Sequence, residues 1–205
     1  MTLPSTISRI VSAPLLLLLA FCLLLAGCSE PMAPTHYNEL VWRGQREKLE
    51  QLKHWELTGK LAIFTSEKKG SARVNWQQDG DDYHLVLTTL IGTTLLELKH
   101  TAGKTLIIDS DGIEHRGDDP EALIQQLTGW PIPIKQLPVW IKGLPGDADY
   151  TLGEDGRITD LKQRQWQLHY QDYALTRLWL LPTALDFAGP QTRIKLVISE
   201  WKIPS

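Results

Sequence analysis

Between His54 and Trp201 the chain alternates apolar and polar residues with a period of two. Trp55, Leu57, Leu61 and Ile63 are interleaved with Glu56, Thr58, Lys60 and Ala62, and Ala72, Val74 and Trp76 with Arg73, Asn75 and Gln77. Successive side chains of a strand point to opposite faces, so this pattern predicts strands with one buried face. The strand-like runs are 54–65, 71–78, 83–90, 93–100, 104–109, 112–116, 157–162, 165–171 and 192–201. Turn-forming segments separate them at hairpin distances: Glu67 to Gly70, Asp79-Gly80, Ala102-Gly103, Asp111-Gly112 and Asp155-Gly156. The expected fold is mainly β with helices, an antiparallel meander interrupted in its middle.

Two stretches follow a helical period instead. From about Thr35 to Lys53, Tyr37, Leu40, Val41, Leu49 and Leu52 recur at roughly helical spacing, with Gly44 as a weak point. The interruption, about 118–146, begins with Asp119 as a cap, Pro120 at the first helical position and Gly129 as a stop after Leu123, Ile124 and Leu127. Trp130 to Gly146 then places four prolines among Trp130, Ile132, Ile134, Leu137, Trp140, Ile141 and Leu144. Such a segment holds one or two short helical turns at most. It is too apolar for a free loop, and the expectation is a lid over the open side of the sheet.

At the N-terminus, Arg9 precedes a run of Leu and Ala from Leu15 to Leu25, closed by Ala26, Gly27 and Cys28. A charged start, a short apolar core and small residues describe a secretory signal over 1–27, too short to span a bilayer. Leu25-Ala26-Gly27-Cys28 resembles the bacterial lipobox. That resemblance implies a covalent acyl and diacylglyceryl lipid on Cys28, with no other cofactor, and a mature chain of 178 of the 205 residues. A fortuitous cysteine is the alternative; Cys22 also lies in the apolar run, but only Cys28 follows Leu-Ala-Gly. In such lipoproteins an Asp after the lipidated Cys favours the inner membrane. Ser29 here implies the outer membrane, facing the periplasm. Residues 28–34, with two prolines, read as a lipidated tether for a domain over 35–205.

Composition removes several function classes. Loss of Arg9 takes the net charge from −3 to −4, and no basic block offers a nucleic-acid surface. Arg43, Arg46, Lys48 and Lys53 read as the solvated face of a helix. With Cys28 lipidated and Cys22 removed, no disulfide can form within the domain, and there is no CxxC. No GxSxG elbow, HExxH pair or GxxxxGK[ST] loop occurs. His84 and His100 fall on different faces by parity, and Glu97 with Lys99 reads as a solvated face. The expectation is a non-enzyme without a metal.

Several segments carry a family resemblance. These are Leu127-Thr-Gly-Trp-Pro-Ile-Pro-Ile134, Trp140-Ile-Lys-Gly-Leu-Pro-Gly146, Thr58-Gly-Lys-Leu-Ala-Ile63, Arg73-Val-Asn-Trp-Gln-Gln78, Leu87-Thr-Thr-Leu-Ile-Gly-Thr-Thr-Leu-Leu-Glu-Leu98 and Arg193-Ile-Lys-Leu-Val-Ile-Ser-Glu-Trp201. In this order, behind a lipobox, they resemble the LolB family over essentially the whole mature chain. The resemblance implies an incomplete antiparallel β-barrel with an N-terminal helix, a helical lid and an apolar cavity. It also implies a monomeric outer-membrane receptor that takes acylated lipoproteins from a LolA-type periplasmic carrier. Without ATP, the client would pass into the inner leaflet of the outer-membrane phospholipid. A lipid-sensing or structural envelope lipoprotein of similar fold is the rival reading.

Strand parity nominates Leu61, Ile63, Val74, Trp76, Leu85, Leu87, Leu96, Leu98, Leu106 and Ile108 as cavity residues, with Trp130, Ile132, Ile134, Trp140 and Ile141 from the lid. Any half-buried sheet has an apolar inner face, so residue type leaves cavity and ordinary core both open. Leu90-Ile91-Gly92 is different. Hairpin tips favour Asn, Asp and Gly, so two large aliphatics there are out of character. The resemblance places a protruding transfer residue at Ile91. Relatives often have Pro where this chain has Leu90, which makes Leu90 a second knob. Whether both protrude, or the tip folds back on the sheet, stays open.

Overall fold

The computed structural model describes residues 34–66, 69–129 and 131–204, with side chains from residue 38 onward. Cys28, Ser29 and Trp130 lie outside the described residues, as do the signal segment and Glu67 and Lys68 of the first hairpin turn. From residue 34 on the chain forms one compact unit.

Helix α1 (Pro34–Gln51) opens that unit. Its buried face is Trp42, Leu49 and the following Leu52, whereas Leu40 and Val41, expected on that face, are exposed. The helix is rolled so that its indole and amide donors reach the sheet. Trp42 Nε1–H donates to Tyr150 Oη (3.2 Å), Gln45 Nε2–H to the Leu180 carbonyl (3.0 Å) and Asn38 Nδ2–H to the Gly153 carbonyl (3.1 Å). Burying Trp42 removes more apolar surface from water than burying the smaller Leu40 or Val41.

Eleven strands make one antiparallel sheet. They are β1 (His54–Thr65), β2 (Lys69–Asp79), β3 (Asp82–Thr88), β4 (Thr94–Thr101), β5 (Lys104–Asp109), β6 (Glu114–Gly117), β7 (Asp149–Leu152), β8 (Ile158–Gln163), β9 (Trp166–Thr176), β10 (Trp179–Gly189) and β11 (Thr192–Lys202). The spatial order is β6-β5-β4-β3-β2-β1-β11-β10-β9-β8-β7. Two meanders therefore join where the first and last strands pair. At that join Gly59 sits at a register shift, and a Cβ there would lie 2.5 Å from the Val197 carbonyl oxygen. A glycine inside a strand marks such a close approach.

β7 and β10 are not among the runs read from the sequence. β10 carries Pro182 in its interior, which ordinarily argues against a central strand. Here the pairing with β11 starts only at Ala184, and the β9 register shifts between Pro182 and Ala184. A bulge thus absorbs the missing N–H, while the Pro182 carbonyl accepts from Trp201 Nε1–H (2.9 Å). β7 has only four residues, three of them exposed, and shows no periodicity to read.

The edges β6 and β7 do not pair with each other; the insertion runs between them, with α2 (Pro120–Thr128) and α3 (Leu137–Trp140). Asp119 caps α2 by accepting from the Glu121 N–H (3.1 Å), and Gly129 ends it in the left-handed region at φ 78°. Residues 140–145 are buried and pinned. Tyr170 Oη–H donates to the Trp140 carbonyl (2.8 Å), and Lys142 Nζ donates to the Leu52 carbonyl (2.8 Å).

The end of the sheet away from the 89–93 loop is filled by aromatic rings. Trp55 meets Trp76 at 5.8 Å and Trp201 at 5.3 Å, while Tyr83 meets Trp76 at 5.8 Å and stacks on His100 at 5.1 Å. Trp76 Nε1–H is satisfied by Gln78 Oε1 (2.9 Å). That end of the half-barrel is solid.

Candidate functional site: an apolar cavity under a lid, and a projecting loop

Beyond the aromatic plug the inner face of the sheet does not close on itself. A cavity of about 150 Å³ remains, walled by the sheet and roofed by the insertion. Leu61, Ile63, Val74, Trp76, Leu85, Leu87, Leu96 and Leu98 line it from β1 to β4, and Ile132, Ile134 and Ile141 from the insertion. Space of this size between apolar walls stays dry, since water needs polar partners. With the roof seated it admits only a few methylenes.

Leu106 and Ile108 are on the other face. The two-residue Ala102-Gly103 turn pairs Thr101 with Lys104, so Leu98 faces Ile107, Leu106 faces Lys99 and Ile108 faces Glu97. Leu98 and Ile107 are buried at 1% and 0%, and Ile107 is the inward residue of β5. The parity assumed for β5 was shifted by one residue, which exchanges the faces of the whole strand. Trp140 is buried but does not line the cavity. Neighbouring residues in a helical turn diverge by about 100°, so with Ile141 aimed at the cavity Trp140 turns to a separate groove.

Further residues line the cavity beyond those nominated from the sequence: Leu57, Ile124, Thr128, Pro133, Leu137, Trp166, Phe187, Ile194 and Leu196. Ile194 and Leu196 follow the alternation of the closing strand and were legible by parity. Phe187 lies on the unrecognised β10. Trp166 is set by its neighbour: its indole lies across Gly189, where a Cβ would be 2.6 Å from the ring.

The loop between β3 and β4 is closed by one residue. Thr89 N–H donates to the Thr93 carbonyl (2.8 Å), the Thr89 carbonyl accepts from Gly92 N–H (3.0 Å), and Thr89 Oγ1 accepts from Thr93 N–H (3.0 Å). Gly92 takes φ 94°, a conformation that glycine adopts without strain. The outcome is that both tip aliphatics project: Ile91 is 92% exposed and Leu90 54%. The topology sets this loop at the end of the sheet opposite the aromatic plug.

Among the described residues no charged side chain lines the cavity. Glu97 bonds Lys99 Nζ (2.6 Å) and His84 Nε2 (2.9 Å), and these partners hold its carboxyl below the usual range. Among the described residues no three His, Cys, Asp or Glu gather where a metal could sit.

Comparison with known proteins shows a family likeness over most of the chain. The family described as Outer membrane lipoprotein LolB matches residues 53–201. An outer-membrane lipoprotein LolB from Tolumonas auensis is 51% identical over 189 residues, covering 91% of this chain and 96% of that relative. One from Aeromonas hydrophila is 50% identical over 181 residues, covering 88% and 92%. Among solved structures, a LolA superfamily protein from Nitrosomonas europaea superposes with a TM-score of 0.48 at 9% identity, over 80% of this chain and 93% of that one.

Proposed function

The chain belongs to the LolB family of outer-membrane lipoproteins, and from that premise we propose that it is a receptor for acylated lipoproteins. It accepts them from a soluble periplasmic carrier of the LolA type and releases them into the inner leaflet of the outer membrane. It acts as a monomer, held to outer-membrane phospholipid by lipid on Cys28, with Ser29 directing the sorting and the segment to residue 34 serving as tether. More than one acyl chain on that cysteine makes such anchoring stable, where a single chain binds only marginally.

The observation that carries this reading is the cavity, apolar on the sheet side and roofed by a segment of separate origin in the chain. An acyl chain loses about 0.8 kcal/mol per exposed CH₂ on entering water, so a client cannot cross the periplasm bare. A roofed apolar cleft is the physical answer to that penalty. The seated roof leaves too little room for a full acyl load, so the roof lifts on loading. Ile91, with Leu90 beside it, then contacts the bilayer or the client's chains at release, because it stands exposed at the loop tip. Transfer runs downhill without nucleotide if the receptor holds acyl chains more tightly than the carrier and the membrane more tightly still.

The test is a transfer assay in which carrier loaded with an acylated lipoprotein meets this protein in the absence of ATP. Recovery of the client on this protein by pull-down is the expected result. A client that stays on a carrier competent with another receptor overturns the reading and favours lipid sensing.

A further inference from the structure

A second concavity lies against the first. A groove of about 540 Å³ runs between the insertion and the turns joining β8 to β9 and β10 to β11. That is within the roughly 300–1,000 Å³ typical of ligand sites. It shares Ile132, Pro133 and Trp166 with the apolar cavity, so one wall separates the two. Trp166 is held in that wall by the backbone of Gly189 beneath its ring.

The chemistry of the groove is unlike that of the cavity. Gln125, Gln136, Gln163 and Gln165 line it with uncharged amides. Two of its lining residues each carry a polar atom that is buried without a hydrogen-bond partner among the described residues, Trp140 Nε1 and Gln163 Oε1. Trp140 is 99% buried by the complement of its 1% exposure. Buried polar groups as a rule are paired, so an orphaned donor and an orphaned acceptor on one groove point to a ligand that brings the complements. Four charged residues line it, Asp119, Glu121, Lys135 and Arg164; the first three engage one another, and Arg164 is a single exposed cation on the β8–β9 turn. Lys135 Nζ pairs with Asp119 (3.0 Å), and Glu121 Oε1 accepts from Lys135 N–H (3.3 Å). A phosphate would call for convergent unpaired cations, whereas a peptide unit supplies one carbonyl and one N–H.

We propose that this groove binds the polypeptide that follows the acylated residue of the client, with peptide carbonyl and N–H groups pairing with Trp140 Nε1–H and Gln163 Oε1. The inference rests on the receptor reading, since it is the acyl chains in the cavity that bring the peptide to the shared wall. Recognition through backbone groups and glutamine amides is tolerant of sequence, as a receptor for many clients requires. The two orphaned atoms are sealed by the groove's own walls, so a peptide reaches them by parting the insertion from the β8–β9 turn. Peptide engagement and lifting of the roof are one movement.

The experiment uses the full-length protein on phospholipid nanodiscs and two photoreactive forms of one synthetic diacylated-cysteine peptide. One form carries the reactive group at an acyl terminus, the other on the second residue after the cysteine. Adducts are mapped by mass spectrometry. The expected result is acyl adducts on cavity residues such as Leu61 and Phe187, and peptide adducts on the groove around Gln125 and Gln163. Gln163→Leu, on the groove's rim, should lower the peptide adducts about fivefold, the effect of one neutral hydrogen bond. It should leave the acyl adducts unchanged. Trp140→Phe should act in the same direction, with loss of the ligand-induced shift of the Trp140 indole N–H resonance as a second readout. Acyl adducts in the cavity with peptide adducts elsewhere, or insensitive to both substitutions, overturn the groove and leave the receptor reading standing. Acyl adducts outside the cavity overturn the receptor reading and the groove with it.

Discussion

The ammonium of Lys142, on the insertion, lies 2.8 Å from the carbonyl oxygen of Leu52 and 3.4 Å from that of Leu49, at the C-terminal end of α1. A cation there satisfies carbonyls that the helix leaves unpaired and suits the negative end of its dipole. It also ties the first helix to the segment that continues into the roof. The attachment is buried, and burial, with Lys53 nearby, pulls the lysine from its ordinary 10.5 down to about 8, against an opposing pull from Glu50.

That shift has a signed consequence for stability. Between about pH 8 and 10.5 the unfolded chain keeps a proton on Lys142 that the folded protein has released, so stability rises with pH in that window. From pH 7 to pH 9 the protein should gain roughly 1 kcal/mol relative to a Lys142→Met variant. Urea unfolding of both proteins at the two pH values measures the difference. An equal response of the two removes the depressed lysine from the account.

Ile91→Glu should leave the fold intact, within about 0.5 kcal/mol, because the side chain is almost wholly exposed. It should impair delivery of clients into vesicles while uptake from the carrier continues. Thermal melting and a vesicle-insertion assay report the two halves separately. Normal insertion by a folded Ile91→Glu protein would remove the loop from the mechanism.

The register of β5 makes a paired prediction. Leu98→Ala, on the buried inner face, should cost about 2–4 kcal/mol, and Leu106→Ala, opposite Lys99 on the outer face, under about 1 kcal/mol. Only Leu98→Ala should also change the cavity, read by the affinity for a fluorescent fatty-acid probe. Equal costs would mean the strand is paired one residue out of step.

Gly59→Ala should destabilise by about 1–3 kcal/mol, since the added methyl meets the Val197 carbonyl where β1 joins β11. Gly44→Ala, on α1 with open space around it, should be neutral or stabilising by up to about 1 kcal/mol. Chemical denaturation of both variants tests whether the join, rather than glycine content as such, is the sensitive place.

Much of this architecture is local and could be read along the chain. The β1 and β2 alternation, the Asp-Gly and Ala-Gly turns, and the Asp119, Pro120 and Gly129 signals around α2 are short-range physics. Side-chain period, left-handed turn residues and end caps act within a few residues. The oddity of Leu90 and Ile91 at a hairpin tip was legible for the same reason. β10 was not, because Pro182 is tolerated only through a bulge that its neighbours β9 and β11 make possible.

By itself, then, the sequence determined nine of the eleven strands and the helices α1 and α2, where the meander breaks for an insertion, and that an apolar inner face exists. Tertiary structure alone decided which residues share that face. The face of β5 depends on a register set by its hairpin partner, so Ile107 and not Leu106 turns inward. The roll of α1 depends on where Tyr150, Gly153 and Leu180 wait for its donors, so Trp42 and not Leu40 is buried. Whether the inner face closes as core or stays open as a cavity depends on packing between segments some seventy residues apart, such as Leu61 and Ile132. A periodicity along one chain carries no information about the volume left between two such segments.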